Sequence, residues 1–268
     1  PAADIDIRDS SVDLTNGLLR FTGGELSSTR SSWSITAGDL DVQTTTTSLE
    51  ASNFQVDNSA AGGLTFDSNF VEWRTDTQIT QTAGSQLSAR TLNVTGPGVQ
   101  SLTGGDLDLS GDLVIASGSS FSSDATITAV GSLTANNGDG VFDGPVTAGG
   151  LALSLTGNLT LNGTTTAGAL TASSSTLLGS GALTVSGPAQ LDGADFGRAG
   201  TTSFGDAVTG SDAQFFGSGA TTFGGGGFTL GTLQIDGGSL ATTGAASADT
   251  FVLTGGSFTA DDGVTVAT

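Results

Sequence analysis

The sequence predicts an all-β fold, a single-domain parallel β-helix (β-solenoid) of about 13 coils with about 20 residues in each. Three observations predict it. A five-residue phrase, Gly-x-Leu-x-apolar, recurs along the chain. Strong apolar positions return at steps near 20 residues. No window of a dozen residues carries the 3.6-residue apolar spacing and the caps of a helix.

The phrase is a short strand with its corner. Two apolar side chains one residue apart share a face of an extended strand, and the residue between them faces the other way. The glycine in front lets the chain turn sharply. In chain order, Asp4-Ile5-Asp6-Ile7 and Ser11-Val12-Asp13-Leu14 alternate as strands. The phrase then stands at Gly38–Val42, Gly62–Phe66, Gly105–Leu109, Gly111–Ile115, Gly149–Leu153, Gly157–Leu161, Gly181–Val185 and Gly231–Ile235. One strong apolar position per coil gives Leu92, Leu113, Leu133, Leu151, Leu170, Leu191, Phe215, Leu233 and Leu253, with steps, by subtraction, of 18 to 24 residues. Uneven steps point to turns of different length. An antiparallel sandwich fits less well, because hairpin turns between long alternating strands are few.

The 268 residues form one solenoid domain, 1–268, in which a part with the tryptophans and most arginines (1–100) continues into a Gly/Asp/Phe-rich part (101–268). From residue 196 onward phenylalanine is dense: Phe196, Phe204, Phe215, Phe216, Phe223, Phe228, Phe251 and Phe258. Stacked coils align such residues into an aromatic ladder in the core. Gly224 to Gly227 reads as a loop, since no lysine or strand-to-helix context makes it a phosphate cradle.

Composition removes most chemistry. The chain has no Cys, His, Met or Tyr, and its six bases are all arginine. Thiol chemistry, disulfides, the commonest general base and the commonest transition-metal ligand are therefore excluded. The net charge of −20 repels nucleic acid and anionic membranes, so no nucleic-acid partner is expected. No run of about 18 apolar residues makes a transmembrane helix. The pairs Asp4/Asp6, Asp39/Asp41 and Asp106/Asp108 have the spacing of a shared strand face. Their intervening residues Ile5, Leu40 and Leu107 point inward, so the acids read as a solvated face, and no catalytic residue is assigned. Calcium is the one cofactor with a candidate: Asn137, Asp139 and Asp143 resemble part of an oxygen-ligand loop, but Ala135 and Val146 occupy the positions of its first and closing acids. A tight turn is the better reading there.

The ends carry the assembly expectation. Neither end shows a polar cap, and strand-like residues run close to both. Ile5, Ile7, Val12 and Leu14 at one end, and Phe258, Val264 and Val266 at the other, are the candidate assembly residues. A bare coil edge pairs with another chain, so subunits are expected to stack head to tail. The start at Pro1 is what a secreted chain trimmed after a small residue would show.

Phrases such as GNLTLNGTTTAGALTAS and GALTVSGPAQLDG resemble the repeats of bacterial surface β-helices, the autotransporter passengers and filamentous-haemagglutinin-type adhesins. The resemblance implies a right-handed coil, secretion, and an adhesive or structural role. The expected function is a non-enzymatic extracellular structural subunit. The alternatives are an adhesin binding a cell-surface ligand, and a polysaccharide-cleaving β-helix, which a groove around Trp33 or Trp73 would favour.

Overall fold

A computed structural model describes residues 4–57, 63–82 and 84–267. Among them are 29 strands and no helix. The strand pairings are parallel from Ile5–Arg8 on Ser11–Thr29 through to Ala246–Leu253 on Val264–Val266. This excludes the antiparallel sandwich. The chain is a β-solenoid of about 13 turns. Alternation builds each coil. In Ser32-Trp33-Ser34-Ile35-Thr36, Trp33 and Ile35 are each 1% exposed, while the small polar residues between them face out. Small and β-branched outward residues suit the pleated surface. The chain divides into two compact units, Pro1–Ser132 with Gly138–Pro145, and Leu133–Asn137 with Val146–Thr268.

In the first unit the coil begins with 21 residues, from Val12 to Trp33 to Phe54. It lengthens to 24 between Leu40 and Leu64 and to 25 between Asn53 and Gln78, then returns to 20 between Leu87 and Leu107. The first coils differ from the expected short strands. Ser11–Thr29 and Ser32–Glu50 are 19-residue strands that stay paired around a corner. Left-handed residues turn that corner inside the ladder: Asn16 at φ 61° and Ala37 at φ 52°. Aromatic pairs fill the core: Trp33 stacks on Phe54 at 5.2 Å, and Phe121 lies 6.0 Å from Trp73 and 5.8 Å from Phe142.

A second corner is closed by buried hydroxyls that the sequence reading passed over. Ser31 Oγ donates to the Thr29 carbonyl and Ser52 Oγ to the Glu50 carbonyl, each at 3.0 Å; Thr77 Oγ1 donates to the Arg74 carbonyl at 2.7 Å. Just before the serines, Arg30 and Ala51 are both left-handed at φ 48°. The carbonyls of Thr29, Glu50 and Arg74 also keep a coil-to-coil bond, from the backbone nitrogens of Asp9, Arg30 and Ala51, so each hydroxyl adds a second bond to the backbone behind it and holds the corner. The signal was present as Asp9-Ser10-Ser11, Arg30-Ser31-Ser32 and Ala51-Ser52-Asn53, at 21-residue intervals.

The second unit is tighter, with coils of 18 to 20 residues. Two expected pairings, Leu92 with Leu113 in the first unit and Leu151 with Leu170 here, hold. Others are corrected. Leu170 pairs with Ala189, leaving Leu191 opposite Ala172, and Phe215 pairs with Ile235, leaving Leu233 opposite Ala213. These two errors are of two residues; a third is of five, since Phe215 pairs with Phe196 and not with Leu191. A slip of two keeps a side chain on the same face, so alternation alone did not resolve it.

The aromatic ladder forms in this unit. Phe196 stacks on Phe215 at 4.8 Å, and Phe204 on Phe223 at 5.2 Å. Phe216 is the exception at 44% exposed; its ring lies over Gly197, which has no side chain to displace it. Arg198 is buried, and its guanidinium donates to the carbonyls of Leu178 at 2.9 Å and Gly181 at 2.6 Å. Burial lowers its pKa to about 10. Gly224 to Gly227 is a turn, as expected, closed by a 2.9 Å bond from Gly227 N to Gly224 O.

Another turn carries a correctable flaw. Gly157 N donates to Ser154 O at 3.2 Å, and the two central residues, Leu155 and Thr156, have φ of 54° and 67°. These are type I′ angles, which favour Asn-Gly. Leu155 is also 66% exposed. Leu155→Asn is expected to raise stability by about 1 kcal/mol, read as a higher urea midpoint with an unchanged slope.

Candidate functional site

The stretch with the calcium candidates Asn137, Asp139 and Asp143, read from the sequence as a tight turn, is a corner that leads into a strand. Asn137 is a left-handed corner residue at φ 53°, and its Oδ1 accepts a 2.8 Å bond from Thr156 Oγ1. Asp139 opens the strand Asp139–Phe142, and Asp143 follows it; their backbone nitrogens donate to Ser119 O at 3.0 Å and to Ser123 O at 2.8 Å. Phe142 points inward, so this stretch is corner and strand. Among the described residues, no three His, Cys, Asp or Glu side chains group closely enough to hold a metal ion.

Trp33 and Trp73 do not line a groove. They are 1% and 0% exposed because they occupy inward positions, between Ser32 and Ser34 and between Glu72 and Arg74. The support they would have lent to a polysaccharide-cleaving site is therefore missing. Leu40 and Leu107 are buried, as expected, with their flanking aspartates on the outer face.

The seven candidate assembly residues have one property in common. All occupy inward positions of the outermost described coils, and none is fully covered. Ile5, Ile7, Val12 and Leu14 are half-buried, whereas Leu26, Trp33 and Ile35, one coil further in, are 1% exposed. Phe258 is half-buried, and Val264 and Val266 are 37% and 44% exposed. Their partners Ala246 and Ala248 are buried.

An open groove of about 870 Å³ crosses the outer face of the first unit. Parallel pairing sets Arg20, Asp41, Thr65, Ser88, Asp108 and Thr128 in one outward row, one residue from each of six successive strands. Asp39, Asp67 and Arg90 add charge beside this row. Arg20 Nε holds Asp41 at 2.7 Å, and Arg90 Nη1 donates to Asn69 Oδ1 at 3.0 Å. Leu18 lies at the first strand and Val130 at the sixth, 54% and 71% exposed.

Two acids in this unit titrate below their ordinary values, the exposed Asp9 through its hydrogen bonds from Arg30, and the partly buried Glu72. Burial pushes the Glu72 carboxyl up, but hydrogen bonds from Arg74 at 2.5 Å and Thr95 at 2.8 Å, with the Arg74 charge, outweigh it and hold the group below its ordinary value. The folded state therefore favours the carboxylate. Its contribution is complete above the ordinary value of 4.5 and is lost as pH falls through the lowered folded value. Glu72→Gln is expected to melt below the parent at neutral pH, with the gap closing in acid; melting curves between neutrality and the acid limit check it.

Compared with models of protein families, with curated proteins and with solved structures, the chain matches none.

Proposed function

We propose that this chain is a non-enzymatic, extracellular structural subunit whose coils stack head to tail on those of further copies, building a filament or matrix. One observation carries the reading: Ile5, Ile7, Val12, Leu14, Phe258, Val264 and Val266 face the inside of the coil, yet are less covered than the residues one coil further in. A further coil laid on either face would bury them and satisfy the strand edge by the parallel ladder that already joins each coil to the next. Such a contact is heterologous and does not close. The resemblance to bacterial surface β-helices supports a place at the cell surface.

Negative-stain microscopy and sedimentation over a range of protein concentration test this. The parent is expected to form filaments that lengthen with concentration. Val264→Asp with Val266→Asp is expected to leave single particles with an unchanged melting temperature. Discrete particles from the parent at its highest soluble concentration would refute the proposal. A second reading, an adhesin, is favoured by the groove of the first unit.

A further inference from the structure

We propose that the groove of the first unit binds a neutral, linear polysaccharide. Its form asks for an extended ligand. The row from Arg20 to Thr128 presents one polar side chain per strand, at ~4.8 Å intervals. A pyranose chain advances by about one such interval per sugar, so successive sugars meet successive strands of the row. A compact small molecule would stay largely exposed in so open a trough, unlike a ligand in an enclosed pocket.

The chemistry of the floor selects among polymers. Carboxylates accept hydrogen bonds only, guanidinium groups donate only, and Ser and Thr hydroxyls do both. A sugar hydroxyl also does both, so a polyol satisfies this mixed floor. A polyanion meets Asp39, Asp41, Asp67 and Asp108 against Arg20 and Arg90, on a chain of net charge −20. A basic peptide meets the two arginines, one of them already holding Asp41 at 2.7 Å. Leu18 and Val130 supply the remaining feature. Both are large apolar residues left open, 54% and 71% exposed, at the two ends of one groove. The C–H face of a sugar ring would cover them, as it covers apolar surface elsewhere.

Electrophoresis of the intact chain through gels containing dextran, galactomannan or a soluble β-glucan tests this, with polygalacturonate and polylysine as charged comparisons. At least one neutral polymer is expected to retard the protein. Asp67→Asn with Asp108→Asn is expected to weaken binding about tenfold or more, as is Leu18→Ser with Val130→Ser, at unchanged melting temperature. Asp249→Asn, outside the groove, should bind like the parent. Retardation by no neutral polymer, retardation only by polygalacturonate or polylysine, or equal binding by the groove variants would overturn the proposal. The Val264→Asp, Val266→Asp protein should bind as the parent does, so failure of glycan binding and failure of filament assembly are separately read.

Discussion

Phe223→Ala is expected to cost about 4 kcal/mol, the range for emptying a fully buried aromatic site. Phe223 is 0% exposed, stacks on Phe204 at 5.2 Å and 11°, meets Phe215 edge-on at 6.0 Å, and lies 5.1 Å from Phe228. Three rings lose a neighbour at once, and the parallel strands around the gap have little freedom to close it. Phe216→Ala is the contrast, expected to cost under about 1 kcal/mol because that ring is already 44% exposed. Urea unfolding of both variants reads the difference. The Phe204→Ala, Phe223→Ala double variant should cost less than the sum of its parts, since the two rings share one contact.

Gly200→Ala is expected to be nearly as damaging, about 3 kcal/mol, through overpacking. Gly163, Gly181, Gly200, Gly219 and Gly238 form one column at a corner of the second unit. From Gly181 on, a Cβ at each would fall inside van der Waals contact with the carbonyl oxygen of the glycine one coil before. That oxygen belongs to backbone, so it retreats only by stretching the coil-to-coil ladder. Gly225→Ala separates this effect from glycine's general flexibility. A Cβ at Gly225 meets nothing within 4 Å, and its φ is not in the left-handed range. It is expected to change stability by less than about 0.5 kcal/mol or to raise it slightly. Equal losses in both variants would refute the close-approach account.

The glycine phrase, the inward leucines and the phenylalanine ladder were legible because alternation and glycine act over five residues. Register was not legible from alternation: Leu191 and Ala189 share a face and only the hydrogen-bond ladder tells them apart, and Phe215 pairs with Phe196, five residues beyond the expected Leu191. The corner serines were present as a 21-residue repeat of short polar words, hidden in a chain rich in Ser and Thr. The groove was illegible. Arg20, Asp41 and Asp108 become neighbours in one row only once coil lengths of 21, 24, 23 and 20 residues are known in succession. Outward residues carry no apolar periodicity to announce them. The tryptophans misled in the other direction: residue type suggested a binding surface, whereas position in the alternation placed both in the core.

The central claim is that copies stack head to tail through their coil faces, and cysteine pairing tests it most directly. The chain has no cysteine, so any introduced pair is unambiguous. Ile5→Cys and Val264→Cys variants would be prepared separately, mixed, and oxidised mildly. Stacked strands bring inward Cβ atoms close to the ~4 Å that a disulfide spans. A disulfide joining the two different variants, and absent when either is oxidised alone, is the result the account predicts. Dimers formed within one variant, or no cross-link in the mixture, would contradict it.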